Sequence, residues 1–267
     1  MSNSVKKNFE YSQLVSRNGF FIDAELQERI KNTTLLFIGC GLASSVAISA
    51  TRLGFEKYIL VDGDNVELTN LNRQDFYLDE IGENKAEVIA NRIKRINSNC
   101  YVQVIKKYVG VGDIEPLVLK ADIIINCADF NEVVYEIEKI SSMHQKLSIS
   151  PLNVGFGSTV TAFSQKSQRL ETMTQGIAEN DESFLSNLLK GFTDYILPQY
   201  IKRNIPKIFL FISKNGFFPQ NIVASQTSNV LILNTIIRYL NNKSILLAPT
   251  PISFDFEKIY ERISETN

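Results

Sequence analysis

The stretch Leu35–Lys85 reads LLFIGCGLASSVAISATRLGFEKYILVDGDNVELTNLNRQDFYLDEIGENK, and it decides the fold. Its first four residues are apolar and end at Gly39, a pattern typical of a buried strand in a parallel sheet. Gly39 and Gly41 form the first half of a Gly-x-Gly turn, where the missing Cβ atoms allow a tight turn and close approach of a ligand. The small apolar residues that follow predict a helix packed on the sheet between Leu42 and Leu53.

A second apolar run, Tyr58–Val61, ends in Asp62. This carboxylate follows Gly41 by about 20 residues, the separation expected of an acid that binds the ribose hydroxyls of a nucleotide. The N-terminus of the helix after Gly41 offers free N–H groups and a positive dipole end to phosphate. The third small position of the fingerprint is Ser44 rather than glycine, so these residues alone also fit a strand–turn–helix unit without a ligand.

Polar side chains just beyond the ribose acid favour a site for a triphosphate. Arg73 can make a forked contact with phosphate oxygens, and Lys85, expected to be exposed in this polar segment, can act as a point charge. Asp64 can hold the magnesium ion that a triphosphate brings with it. The same segment contains two amide side chains, those of Asn70 and Gln74. A plain dehydrogenase does not need an arginine and a lysine at these positions.

These motifs resemble the adenylating family of ThiF, MoeB and HesA, which is related to the ubiquitin-activating enzymes. The resemblance rests on the run VDGDNVELTNLNRQ, on the lysine downstream of it and on the aspartate of the run NCAD. It covers the chain well from about Tyr11 to Phe163 and only loosely in the C-terminal third. The residues that carry it are Gly39, Gly41, Asp62, Asp64, Asn70, Arg73, Gln74, Lys85 and Asp129.

The resemblance implies an ATP-dependent adenylyltransferase, in which a carboxylate attacks the α-phosphorus of ATP to give an acyl adenylate and pyrophosphate. Two anions must meet in this reaction, and Arg73 and Lys85 would offset their charge. Asp62 would bind the ribose. Asp129 would act with Mg²⁺ to hold the phosphates near the attacking carboxylate, although by position alone it could simply cap the following helix.

The segment SRNGFFID, before the first strand, resembles the N-terminal arm of the same family. In that family an arginine of the arm reaches the nucleotide phosphates of the neighbouring subunit, which implies a homodimer in which Arg17 acts across the interface. Taken alone, Arg17 also fits an ordinary exposed surface charge. By the same resemblance, Asn70 and Gln74 would orient the nucleotide or the incoming substrate backbone.

The resemblance also implies the kind of substrate: a C-terminal or side-chain carboxylate of a small carrier protein or of a ribosomally made peptide. Many relatives place a catalytic cysteine in the crossover loop, but Gln165–Pro198 contains none, and the three cysteines of the chain form no Cys-x-x-Cys pair. We therefore expect adenylation without a loop thioester and without a zinc site. Two alternatives stay open, an NAD-dependent oxidoreductase built on the same turn and a non-catalytic binding partner.

The alternation of strands and helices predicts an α/β fold, a doubly wound, Rossmann-like mixed sheet with an N-terminal helical arm and a C-terminal antiparallel extension. We expect the arm in residues 1–32 and the nucleotide-binding core in residues 33–163. Residues 164–267, with the crossover loop and the C-terminal helices and strand, should complete the same domain.

Several elements are predicted individually. Lys85–Ile96 has one apolar stripe and should be a helix, and Lys146–Ser150 should be a strand that ends at the proline after it. The C-terminal third predicts a polar crossover loop, two helices and an edge strand, in the order Gln165–Ser183, Phe184–Leu197, Asn229–Leu240 and Pro251–Phe256.

Composition limits the possible partners. The chain has 267 residues, of which 44% are hydrophobic, enough for a sizeable core. The net charge of −1 gives no basic footprint for nucleic acid. No apolar run reaches the ~18 residues that a membrane-spanning helix needs. We therefore expect a cytoplasmic protein that binds neither nucleic acid nor a membrane.

Overall fold

The computed structural model describes residues 9–129, 131–177, 183, 186, 199–258 and 260. Its strands are β1 (Thr34–Ile38), β2 (Lys57–Val61), β3 (Tyr101–Ile105), β4 (Ile123–Asn126), β5 (Leu147–Val154), β6 (Gly157–Phe163) and β7 (Ile252–Asp255). They form one sheet in the order β3-β2-β1-β4-β5-β6-β7, in which the first five strands are parallel and β6 and β7 are antiparallel additions. The predicted fold class, including the antiparallel edge strand, is confirmed.

Helices cover both faces of this sheet. They are α1 (Tyr11–Leu14), α2 (Ala24–Asn32), α3 (Ser44–Leu53), α4 (Lys85–Ile96), α5 (Ile114–Val118), α6 (Glu132–Met143), α7 (Leu170–Met173), α8 (Gln199–Asn215) and α9 (Ile222–Leu240). Leu35 and Phe37 of β1 pack with α3, α4 and α9, whereas Leu36 and Ile38 pack with α5 and α6. Burial on both faces explains why the central strands β1, β2 and β4 are apolar runs. In the described part of the chain, no helix combines the length and hydropathy needed to cross a bilayer.

The strand register aligns five residues across the carboxyl edge of the sheet. Val61 pairs with Ile38, Ile38 pairs with Asn126, and Ser150 pairs with Thr161. The last pair that joins β4 to β5 is Ile125 with Ile149. Asn126 and Ser150 come next on these two strands, so they are neighbours as well. Paired residues present their side chains on the same face. We call these five residues the floor row: Val61, Ile38, Asn126, Ser150 and Thr161. The row is apolar on β2 and β1 and polar on β4, β5 and β6.

Strand β5 is longer than the sequence predicts. The predicted strand ended at Ser150 because Pro151 follows, but β5 continues to Val154. Pairing with β4 stops at Ile149, and beyond that residue β5 is paired only with β6. A proline is tolerated there because no neighbour on the β4 side requires its N–H.

Helix α9 is joined to the β5–β6 hairpin by four buried polar residues, which we call the polar seam: Asn153, Ser158, Ser225 and Ser228. Asn153 Nδ2 donates to Ser225 Oγ at 3.2 Å, and Ser228 Oγ donates to Asn153 Oδ1. The hydroxyl oxygens of Ser158 and Ser228 lie 2.7 Å apart. These directional bonds fix how the helix sits on the hairpin.

Three predictions for the C-terminal third differ from the structure or lie outside it. The predicted helix Asn229–Leu240 begins earlier, at Ile222, because the serines of the polar seam interrupt the apolar period of its first turns. The predicted loop Gln165–Ser183 contains helix α7. The predicted helix Phe184–Leu197 falls almost entirely outside the described residues. Helix α8, which contains Pro206, has no counterpart in the sequence predictions.

Gly39 sets how closely the first turn approaches β4. Its φ is +84°, and a Cβ atom there would lie 2.2 Å from the carbonyl oxygen of Cys127. We expect Gly39→Ala to lower the free energy of unfolding by about 2 kcal/mol or more, because left-handed strain and a backbone clash act together. Urea denaturation followed by circular dichroism measures the change. The control is Gly112→Ala, where a Cβ atom meets nothing within 4 Å; an equal loss there would contradict the prediction.

Candidate active site

A cavity of about 300 Å³ opens at the carboxyl ends of the parallel strands, the edge at which open α/β sheets bind ligands. The floor row forms part of its lining. Eight of the predicted site residues also line it: Gly39, Gly41, Asp62, Asp64, Arg73, Gln74, Lys85 and Asp129. Two do not. Asn70 is buried in a 3₁₀ turn, where its Oδ1 accepts the N–H of Glu67 at 3.0 Å. Arg17 lies exposed on the N-terminal arm.

The carboxylate of Asp62 connects the two loops that border the cavity. Its Oδ2 accepts the N–H of Cys40 at 2.6 Å, and its Oδ1 accepts the N–H of Asp64 at 2.8 Å. Burial raises the pKa of Asp62, and the two backbone hydrogen bonds together with the charge of Lys85 oppose this rise. The glycine turn after β1 is therefore held in register with the turn after β2.

Lys85 is buried, with 7% of its surface exposed, whereas the sequence led us to expect an exposed lysine. Its Nζ lies 2.9 Å from Oδ2 of Asp64, and the hydroxyl of Tyr108 donates to the other oxygen of that carboxylate. Burial favours a higher pKa for Asp64, but the bonds from Tyr108 and Lys85 outweigh it, so the pKa is lowered. The bond to Asp64 in turn raises the pKa of Tyr108 to about 12.

Within the described structure, the groups that hold Arg73 are neutral. Its Nε donates to Oε1 of Gln220 at 3.1 Å, and its Nη1 donates to the carbonyl of Thr69 at 2.9 Å and to Oδ1 of Asn72 at 2.8 Å. The salt bridges found among the described residues do not include Arg73. Burial lowers the pKa of its guanidinium, although an arginine stays protonated in proteins. The cavity wall therefore carries a positive charge that no described carboxylate neutralises.

Gln74 lies directly against the glycine turn. A Cβ atom on Gly41 would lie 2.7 Å from Nε2 of Gln74, so only glycine fits there without displacing the amide. Oε1 of Gln74 is buried without a hydrogen-bond partner in the described structure. Ser44 explains why its fingerprint position need not be glycine: its Oγ donates to the carbonyl of Gly41 at 2.7 Å and accepts the N–H of Asp75 at 2.9 Å.

Asp129 follows β4 and does not cap the next helix. The N-cap of α6 is Asn131, whose Oδ1 accepts the N–H of Val133 at 2.9 Å. Desolvation by the surrounding protein raises the pKa of Asp129. The negative charge of Asp64 also raises it, and the positive charge of Lys85 lowers it. The two aspartates thus repel each other at one pocket, a situation that a bound cation relieves. Nowhere in the described ranges do three or more His, Cys, Asp or Glu side chains form a potential metal cluster.

Two groups at the site carry no sequence motif. Tyr108 closely follows β3. Its position just beyond a strand end is the one feature of the sequence that could have indicated a place in the site. Gln220 lies in the loop before α9 and bonds to Arg73, which is far away in the sequence. No local pattern marks that contact.

The strand order, the glycine turn and the charged residues at the carboxyl edge define a Rossmann-like α/β protein with a candidate nucleotide pocket. The sequence model of the ThiF family matches residues 15–243. The chain therefore belongs to the ThiF family, and the resemblance seen in the sequence is confirmed.

Two relatives illustrate the match. A probable molybdopterin-synthase adenylyltransferase of Gracilaria tenuistipitata var. liui is 32% identical over 143 residues, 53% of this chain and 40% of the relative. The tRNA threonylcarbamoyladenosine dehydratase of Bacillus subtilis (strain 168) is 38% identical over 95 residues, 35% of this chain and 37% of the relative. The chain thus spans less than half the length of these relatives.

Solved structures show the same fold. MccB of E. coli, crystallised with AMPCPP and selenomethionine MccA, superimposes with a TM-score of 0.68 at 21% identity, covering 94% of this chain and 71% of MccB. Selenomethionine PaaA gives a TM-score of 0.67 at 17% identity and covers 96% of this chain and 85% of PaaA.

The pairing of Lys85 with Asp64 makes a testable contribution to stability. We expect Lys85→Ala to cost about 1–2 kcal/mol, because it removes buried packing and leaves Asp64 without its cation. Lys85→Met keeps most of the packing and should cost less. Since Lys85 lowers the pKa of Asp64, the stabilisation is present at neutral pH and is lost as pH falls through that lowered pKa. The difference between Lys85→Met and the parent should therefore shrink below about pH 4.

Urea denaturation at neutral pH and in acid measures both effects. A Lys85→Met difference that stays constant over this range would show that the ion pair does not stabilise the fold.

Proposed function

We propose that this protein is an ATP-dependent adenylyltransferase that activates a carboxylate of a small protein or peptide as an acyl adenylate and releases pyrophosphate. The main support is one observation: Arg73 and Lys85 line the same cavity as the glycine turn, and the charge of Arg73 is not neutralised by a described carboxylate. Such a wall suits the phosphates of a nucleotide. Membership of the ThiF family and the fold shared with MccB support the same function.

The side chains suggest how the reactants would be held. Asp62 uses one lone pair of each oxygen for the backbone, and a carboxylate has about four acceptor sites in all, which leaves capacity for ribose hydroxyls. Arg73 and Lys85 would contact phosphate oxygens, and Gln74 would present its unpaired Oε1 to a donor of the nucleotide or of the substrate backbone. Magnesium bound together with a nucleotide needs only one or two carboxylates, which Asp129 and Asp64 would supply. Asn70 supports this loop from outside the cavity.

The proposed substrate is a small carrier protein or a ribosomally made peptide. MccB, which shares the fold, was crystallised with MccA. The segment Gln165–Pro198 contains no cysteine, so we propose that the activated acyl group is not passed to a thiol of that loop.

We further propose a homodimer in which Arg17 serves the site of the partner subunit. Arg17 is exposed and does not line the cavity of its own chain. Phe20 and Phe21 follow in the same arm and are 97% and 84% exposed. Aromatic side chains with this exposure on an ordered arm are typical of a surface that another chain covers.

ATP–pyrophosphate exchange is the direct test of the reaction. We expect exchange that depends on one partner, chosen from small proteins and peptides encoded by neighbouring genes. Arg73→Ala should lower it by roughly 100-fold or more, because a charged donor to the reacting phosphates is lost, and should abolish the thermal stabilisation by ATP. The matched control, Arg52→Ala, removes an exposed arginine outside the cavity and should change neither.

Two results would contradict the proposal. Binding of NAD without pyrophosphate exchange would indicate the oxidoreductase alternative. Binding of ATP without exchange in the presence of every partner would indicate a non-catalytic family member.

Subunit mixing tests the dimer. Arg17→Ala and Lys85→Met should each be inactive alone, because each lacks one residue of every complete site. After subunit exchange of an equimolar mixture, half of the dimers are mixed and each contains one intact site, so about one quarter of the parent activity should return. The control is each variant mixed with itself. Failure to recover activity, with exchange verified by differently tagged subunits, would show that Arg17 does not act in the partner subunit.

A further inference from the structure

The polar half of the floor row forms an unusual surface inside the cavity. Asn126, Ser150 and Thr161 lie side by side on β4, β5 and β6. All three line the pocket. Asp62, assigned to the ribose, follows β2 in the other half of the row, and Asp129, assigned to magnesium and the phosphates, follows β4. The polar residues therefore lie at the end of the cavity that the nucleoside does not need.

Two of these three groups have unused hydrogen-bonding capacity. Asn126 is 2% exposed, and its Nδ2 donates to the carbonyl of Val134 at 2.9 Å. This bond fixes the orientation of the amide and leaves Oδ1 as an acceptor. Among the described residues, neither Oδ1 of Asn126 nor Oγ of Ser150 has a hydrogen-bond partner. A buried polar atom without a partner destabilises the protein, so a ligand that brings a donor to this row would recover that free energy.

The surroundings of these groups restrict the ligand. The lining residues contributed by β5, β6 and α7 carry no charge, and five of them are apolar: Pro151, Leu152, Phe163, Leu170 and Met173. Among the described residues, the charged ones that line the cavity belong to the loops after β2, β3 and β4 and to the start of α4. A charged side chain would therefore lose its hydration at this end without gaining a partner, and a purely apolar one would leave Asn126 unpaired.

We infer that Asn126, Ser150 and Thr161 form the subsite for the terminal residue of the substrate, and that they select an uncharged residue whose side chain donates a hydrogen bond. An amide side chain fits best, because its NH₂ group can donate to Oδ1 of Asn126 while its oxygen accepts from Ser150. A glycine-ended tail would leave both groups unpaired. This inference rests on the proposed function, since it places the activated carboxylate next to the row.

Analogues of the acyl adenylate test the inference without knowledge of the natural substrate. The probes are four 5′-O-(N-acetylaminoacyl)sulfamoyladenosines that differ only in the residue: asparaginyl, glycyl, leucyl and aspartyl. Isothermal titration calorimetry on the full chain gives the Kd of each and of ATP with Mg²⁺. We expect the asparaginyl compound to bind roughly tenfold more tightly than the other three.

Three variants test whether the polar half of the floor row causes the preference for the asparaginyl compound. Ser150→Ala removes only an unpaired hydroxyl and should reduce the preference. Asn126→Leu should abolish it; because that variant also loses the bond to Val134, Ser150→Ala keeps the test decisive if Asn126→Leu does not fold. The control is Ser148→Ala. Ser148 lies on the same strand and face, and its Oγ is also unpaired in the described structure, but it does not line the cavity, so the preference should be unchanged.

The possible outcomes distinguish failure of the subsite from failure of the proposed function. Equal binding of the asparaginyl and glycyl compounds, together with normal ATP binding, would overturn the subsite and leave the proposed function standing. A preference that survives in both Ser150→Ala and Asn126→Leu would also overturn it. If both variants lost affinity for ATP as much as for the asparaginyl compound, the row would lie under the phosphates instead. If the parent chain bound neither ATP nor any analogue, the proposed function and the subsite would both fall.

Discussion

The two hydrogen bonds accepted by the carboxylate of Asp62 hold the site together. They link the N–H groups of Cys40 and Asp64, which belong to the turns after two adjacent strands. The position of Asp64 in turn decides where Lys85 lies, since the two form an ion pair and the N–H of Lys85 donates to the carbonyl of Asp64 at 3.0 Å. A single buried acid thus places the glycine turn and a cation of the cavity wall relative to each other.

The other side of the cavity depends on residues from the C-terminal part of the chain. Gln220, in the loop before α9, bonds to the guanidinium of Arg73 and so connects the last long helix to the nucleotide half. The polar seam fixes the same helix to the β5–β6 hairpin, whose residues form the polar half of the floor row. The C-terminal third, which shows the weakest sequence motifs, therefore helps to shape the cavity wall.

Local patterns in the sequence predicted much of this structure. The central strands β1, β2 and β4 are short apolar runs buried on both faces, and Lys85–Ile96 has a regular apolar stripe, so these elements could be recognised. The burial of Lys85 could not, because it depends on Asp64 and on Tyr108, which approach only when the sheet is formed. The floor row could not be predicted either, because it depends on the register between strands that are distant in the sequence. The start of α9 was placed too late because buried serines resemble exposed ones in a pattern of hydropathy.

The polar seam also affects how the cavity wall responds to temperature. Burial of apolar surface gives unfolding a positive heat capacity change, and the stabilisation it provides weakens on cooling. Exposure of polar surface changes the heat capacity in the opposite direction. Because serine and asparagine side chains join α9 to the β5–β6 hairpin, this junction depends less on the hydrophobic effect than the two apolar faces of the sheet do. The wall of the cavity should therefore keep its shape in the cold, while the core beneath it loses part of its stabilisation.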